Sequence, residues 1–90
     1  MKTLYVRITG KVQGVWFRQS TKREAEKRAI NGWVKNTQNG AVEGLFQGNV
    51  SDVDDLLSWC HQGPPFSKVE QVKVDEIEDE EIFSSFSIRY

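Results

Sequence analysis

The sequence has little of what staples or metallates a small protein. It holds one cysteine and one histidine. Cys60 has no intrachain partner, which excludes a disulfide framework, and no cluster with metal-ligand spacing is visible. A surplus of one charge is also missing. Twelve Lys and Arg stand against 13 Asp and Glu, for a net charge of −1, so no basic nucleic-acid face is implied. No apolar run is long enough to span a membrane, and the start does not resemble a signal peptide. Internal repeats and low-complexity linkers are absent. What remains is an ordinary globular composition, 38% hydrophobic and 28% charged over 90 residues. It suits one domain spanning residues 1–90 in the cytoplasm.

Against this plain background one stretch stands out, Gly10 to Arg18, reading G-K-V-Q-G-V-W-F-R. An alternating apolar run precedes it and a charged run of helix formers follows, so a strand ends here and a helix begins. Gly10 and Gly14 allow positive φ and close approach. Such a turn can point successive N–H groups inward as a nest for an anion, and the helix start adds unpaired N–H groups and a positive dipole end. Arg18 stands at the junction with a forked, permanent charge suited to phosphate. The stretch reads as a phosphate pocket made of backbone amides and one arginine.

The remaining chain supplies a frame. Leu4, Val6 and Ile8 alternate with Tyr5, Arg7 and Thr9, as a strand with one buried face. Phe17, Thr21, Ala25 and Ala29 form the narrow stripe of a helix from about Phe17 to Ile30. On its solvent side Lys22–Glu26 and Glu24–Arg28 can pair, worth roughly 0.2–0.5 kcal/mol each, and Asn31-Gly32 stops it. Residues 33–36 read as a short strand, Asn39-Gly40 as a hairpin turn, and residues 41–48 as the returning strand. Within it Gly44 marks either close approach of a helix or a bulge. Ser51 is expected to cap a second helix, with Asp54 three residues on and a stripe of Val53, Leu56, Leu57 and Cys60. Gly63-Pro64-Pro65 ends it. Residues 69–74 read as a strand, 75–81 as a solvated acidic connection, and Phe86, Ile88 and Tyr90 mark a last strand. The order is β-α-β-β-α-β plus a fifth strand. It predicts an α+β, ferredoxin-like split βαβ sandwich, with two helices on one face of a mostly antiparallel sheet.

Simple distances bring a second polar residue to the turn. The first helix runs about 18 Å away from Arg18 at 1.5 Å per residue. Residues 32–36 climb back roughly 15 Å at about 3.3 Å per residue. Asn36 therefore returns to the level of the helix start. Its side chain offers a donor and an acceptor and does not titrate, so it can hold a water but cannot act as a usual general base.

The Gly10–Arg18 stretch closely resembles the phosphate loop of acylphosphatases, and G-W-V-K-N at Gly32–Asn36 resembles their second motif at a fitting separation. The likeness continues through the Asn39-Gly40 hairpin, Gly63-Pro64-Pro65-Phe66 and the final aromatic strand. It implies hydrolysis of a carboxyl-phosphate anhydride to carboxylate and inorganic phosphate, without metal or cofactor. Gly14, Val15, Trp16, Phe17 and Arg18 would bind the phosphate, and Arg18 and Asn36 would be the catalytic pair, with Asn36 positioning the water. At Trp16 many bacterial relatives carry glycine; a bulky residue there would narrow the pocket mouth or change which acyl groups fit. If the last strand runs beside residues 33–36 in the same direction, Tyr90 reaches the rim, where its carboxylate would pair with a pocket cation.

Other readings of the same pattern are an acylphosphatase-like module of a carbamoyl-transfer protein, a single-stranded RNA binder and a phosphate-binding domain without turnover. The first would bring zinc-finger cysteines. The second would need aromatic platforms and a basic sheet face, whereas Tyr5, Arg7, Glu43 and Leu45 make a poor platform. A monomeric enzyme acting on a small acyl phosphate, with no nucleic-acid or membrane partner, fits best. Gln13 is expected to brace the loop, His61 to complement a helix dipole, and Cys60, Trp33 and Trp59 to pack.

Overall fold

Alternation over residues 4–8 makes a strand whose Leu4, Val6 and Ile8 are all buried, and the sheet is laid out around it. In the computed structural model, which describes residues 1–78 and 81–90, the elements follow in order. They are β1 (Lys2–Lys11), α1 (Phe17–Lys27), β2 (Asn31–Asn36), β3 (Val42–Gly48), α2 (Val50–Gln62), β4 (Lys68–Glu76) and β5 (Phe86–Arg89). The five strands form one sheet in the order β4-β1-β3-β2-β5. Every pairing is antiparallel except β2 with β5, which is parallel, with Gly32 opposite Phe86 and Val34 opposite Ile88. Phe17, Thr21 and Ala25 of α1 and Val53, Leu56 and Cys60 of α2 are the buried helix positions. Apart from Thr21, they share one apolar cluster with Leu4, Val6, Ile8, Val34, Val42 and Phe46. This is the α+β, ferredoxin-like arrangement expected from the element order. No helix among the described residues is long and apolar enough to cross a membrane.

Several boundaries differ from the sequence reading, each for a local reason. Helix α1 stops at Lys27, short of Ile30. Ala29 turns left-handed, with φ 55°, and Ile30 N–H reaches back to the Ala25 carbonyl at 2.9 Å. This tucks Ile30 into the core and leaves Ala29 exposed. Asn31 and Gly32 then belong to β2 rather than to a helix stop. Helix α2 is capped by Asn49, not Ser51: Asn49 Oδ1 accepts from Ser51 N–H at 3.2 Å. The helix thus starts earlier, and Asp54 pairs with Lys2 at 2.9 Å instead of closing a capping box. Gly44 is not a bulge. A Cβ there would meet the Phe46 ring and the Trp33 carbonyl, and the bulge lies between Thr9 and Gly10. Strand β4 runs on through Asp75 and Glu76, so part of the expected acidic connection is strand; Asp79 and Glu80 of that stretch lie outside the described residues. Of the two expected helix pairs, Glu24–Arg28 forms at 2.8 Å, while Lys22 and Glu26 are unpaired among the described residues. Arg28 also reaches Asp55 of α2 at 2.7 Å, tying the helices together.

One end of this sheet collects the polar residues singled out in the sequence. β1 leads into the glycine turn, α1 starts there, and β2 arrives there with Asn36. Because β5 runs parallel to β2, it delivers Tyr90 to the same end.

Candidate active site

The turn between β1 and α1 is shaped by two left-handed residues, Gly14 with φ 72° and Trp16 with φ 66°, on either side of Val15. Alternation of this kind curls backbone N–H groups into a concavity that favours anions. Trp16 occupies the N-cap of α1 without a side-chain cap bond, and the first helical turn holds no acidic residue. The positive end of an 11-residue helix is therefore left open. Val15 and Phe17 are buried at 6% and 1% exposure. They pin the turn from below, and Phe17 stacks obliquely on Trp59 at 5.7 Å.

Arg18 follows in the first turn of α1. Its guanidinium lies 5.0 Å from the centre of the Tyr90 ring, a cation–π contact, and makes no ion pair among the described residues. Its charge is oriented by an aromatic face and is not neutralised by a carboxylate. The sequence reading expected the Tyr90 carboxylate to meet the pocket cation; the contact is made by the ring.

Asn36 closes β2 opposite Val42. Its Oδ1 is buried and has no hydrogen-bond partner among the described residues. Leaving a buried acceptor unpaired costs about 1–3 kcal/mol, so this atom is an exception to the rule that interiors satisfy their polar groups. Asn36 lines the same cavity as Gly14, Trp16, Phe17 and Arg18, with a volume of about 280 Å³. Val12, Gln19, Ile88 and Tyr90 complete its wall. Asn36 thus borders the cavity beside Arg18, and its carboxamide carries both a donor and an acceptor.

Gln13 holds the two halves together. Its Nε2 donates to the Thr37 and Ala41 carbonyls, each at 2.8 Å. Thr37 itself turns into the hairpin, its hydroxyl donating to Asn39 Oδ1 at 2.6 Å. The glycine turn is thereby strapped to the residue immediately after Asn36.

Four of the five expected phosphate-binding residues line the cavity: Gly14, Trp16, Phe17 and Arg18. Val15 does not, because its side chain enters the core. Among the described residues, the side chains of the wall include one guanidinium and no carboxylate, imidazole or thiol. No group of three or more His, Cys, Asp or Glu side chains suited to a metal ion occurs among the described residues. Cys60 is buried, and burial pushes its thiol up to about 12, which leaves it an unreactive core residue. His61 accepts its helix-end role through Nδ1, 3.0 Å from the Leu57 carbonyl.

Comparison with known proteins agrees with this geometry. The family model for acylphosphatase matches residues 4–88. The chain belongs to the acylphosphatase family. An acylphosphatase of Thiobacillus denitrificans is 47% identical over 89 residues, covering 99% of this chain and 98% of that protein. The crystal structure of the acylphosphatase from Bacillus subtilis superposes with a TM-score of 0.96 at 39% identity, over 100% of both chains. The structure of an acylphosphatase from Coxiella burnetii gives 0.93 at 39% identity, over 98% of this chain and 92% of that one.

For this member of the acylphosphatase family, Tyr90 reaches the wall as expected of a last strand parallel to β2, whereas Ile88, Gln19 and Val12 are wall residues that the sequence did not single out for the site. The alternation of Ile88 and Tyr90 with Ser87 and Arg89 signals a strand, but only the parallel register with β2 brings them to the cavity. Val12 carries no separate signal at all; it is a buried core residue whose edge is exposed to the cavity.

Proposed function

We propose that this chain hydrolyses acyl phosphates to carboxylate and inorganic phosphate, with Arg18 and the backbone amides of Gly14 to Arg18 holding the phosphoryl group and Asn36 holding the water. The observation that carries the reading is that Asn36 lines the same cavity as Arg18, whose guanidinium makes no ion pair among the described residues. The amide-lined turn and the guanidinium neutralise the equatorial phosphoryl oxygens, where charge spreads in a loose transition state. Asn36 Oδ1 accepts one water O–H and turns the water lone pair toward phosphorus. As the new O–P bond forms, the bond between phosphorus and the acyl oxygen breaks, and its electron pair leaves on the carboxylate. The second water proton passes to a phosphoryl oxygen. A carboxylate is a weak base, so its departure needs no general acid. Rate comes from positioning and from charge stabilisation.

The reading extends to the whole chain. Residues 1–90 act as one domain, as a monomer in the cytoplasm, on a small-molecule substrate. The open face of the sheet does not suit a nucleic acid, because Glu43 sits among its cations and takes Lys35 at 3.1 Å. The test is release of phosphate from benzoyl phosphate with a chelator present. Turnover supports the reading. Tight phosphate binding with no turnover refutes it in favour of a binding domain.

A further inference from the structure

The chain has three tryptophans, and the fold uses two of them. Trp59 packs on Phe17 with ring centres 5.7 Å apart. Trp33 lies beneath two cations, with Arg89 at 4.8 Å and Lys35 at 5.7 Å from its ring. Trp16 has no ring or cation partner among the described residues and is 75% exposed. It also holds a left-handed backbone, φ 66°, which bulky residues avoid. A glycine or asparagine would take that conformation with less strain. Trp16 is therefore placed unfavourably twice, once in its backbone and once in its solvent-facing ring.

Compensation is available outside the fold. Trp16 borders the cavity that holds Arg18 and Asn36, as do Ile88 and the 98% exposed Tyr90. A water takes about 30 Å³ of liquid, so a cavity of about 280 Å³ has room beyond a phosphate and one water. With the phosphoryl group on the amides and Arg18, the part of the substrate directed to the mouth is the acyl group. The walls it meets there are aromatic and aliphatic.

We infer that Trp16 is a specificity-determining residue, whose ring packs on the acyl group and selects acyl phosphates with a flat apolar acyl moiety over small aliphatic ones. The inference rests on the proposed hydrolysis and names its substrate class. Stacking of one aromatic pair is worth up to roughly tenfold in affinity.

The experiment compares benzoyl phosphate with acetyl phosphate in the wild-type protein and in Trp16→Gly, Trp16→Asn and Trp16→Phe. Glycine and asparagine tolerate the left-handed backbone and remove the ring; phenylalanine keeps a ring. The quantity read is the ratio of kcat/KM for benzoyl to acetyl phosphate, relative to wild type, so that the intrinsic reactivity of each anhydride cancels. Inhibition by inorganic phosphate, which has no acyl group, reports the turn itself. The expected result is a ratio roughly tenfold lower in Trp16→Gly and Trp16→Asn, seated in KM for benzoyl phosphate, and within about threefold of wild type in Trp16→Phe. An unchanged ratio overturns the inference. So does a weakening of phosphate inhibition equal to the rise in KM, which would assign the effect to the turn. If the wild-type protein hydrolyses neither compound, the proposed function falls, and this inference with it.

Discussion

The side chain of Gln13 donates to the Thr37 carbonyl at 2.8 Å, one residue past Asn36. The same nitrogen reaches the Ala41 carbonyl across the hairpin mouth. One side chain thus sets the separation between the amide turn and the residue proposed to hold the water. Replacing it removes two hydrogen bonds, a loss of about 1–3 kcal/mol. Gln13→Ala is expected to lower kcat by more than it weakens phosphate inhibition, since each half of the site stays intact and only their spacing relaxes. Parallel kcat and phosphate-inhibition measurements check this. Equal losses in both would mean that Gln13 merely supports the turn.

Arg18 and Asn36 are expected to separate in kinetics. Arg18 meets phosphate in ground and transition states alike, so Arg18→Ala should lose both binding and turnover. Arg18→Lys should recover little, because lysine lacks the fork. Asn36→Ala should keep phosphate inhibition within a few-fold while turnover falls on the order of 10²–10³. It also deletes the unpaired buried oxygen, so thermal stability should hold or rise, as at sites where function is kept at the expense of stability. A drop in Tm for Asn36→Ala, or phosphate binding lost as fully as in Arg18→Ala, would contradict the assignment.

Donor chemistry decides the response to ions. The cavity's charged side chain is one guanidinium, and the turn beside it offers backbone amides, both suited to anions. Phosphate and sulfate should both inhibit competitively, and turnover should persist in excess chelator. Steady-state assays with each additive test this; activity lost to chelator and restored by a divalent ion would overturn it.

The Tyr5–Glu43 pair makes stability depend on pH at both extremes. Tyr5 Oη donates to Glu43 at 2.5 Å. This bond, with help from Lys35 and Arg7 and against the effect of burial, holds the Glu43 carboxyl below its ordinary value of 4.5. The same bond, with burial, raises the Tyr5 phenol above 10.0. The stabilisation from Glu43 is complete above the ordinary carboxylate value and is lost as pH falls through its lowered folded value. That from Tyr5 is complete below 10.0 and is lost as pH climbs through its raised folded value. Glu43→Gln should flatten the acid limb and Tyr5→Phe the alkaline limb of Tm against pH. Each should cost about 1 kcal/mol at neutral pH, or roughly 4–8 °C for a domain of this size. Thermal unfolding from acid to alkaline pH measures both.

Much of this was legible in the sequence because it is local or simply periodic. Leu4, Val6 and Ile8 declared their strand by alternation, and Asn36 was placed near Arg18 by rise-per-residue distances alone. The misses share a cause: two local solutions competed. Asn49 and Ser51 are both good caps, and Asn49 Oδ1 takes the Ser51 N–H and hydroxyl, so the Ser51 side chain is engaged by the cap instead of being one. Ile30 overrode the Asn31-Gly32 stop because burying its side chain requires Ala29 to turn left-handed. Tyr90 could be placed at the rim only on the condition of a parallel last strand, and that its ring rather than its carboxylate meets Arg18 depends on strand order and not on any neighbouring residue.

The parallel pairing of β2 with β5 sets when the site becomes durable. Parallel partners cannot be joined by a tight turn, and here β3, α2 and β4 intervene between Lys35 and Phe86. Closing so long a loop costs chain entropy before any contact repays it. The β1–β3 and β2–β3 contacts need shorter closures and should dominate the folding transition state. Contacts of Phe86 and Ile88 should then carry low φ-values. Truncating either should leave the folding rate nearly unchanged and raise the unfolding rate. The strand that brings Tyr90 to Arg18 would thus govern how long the assembled cavity survives, and hardly at all how quickly it is made.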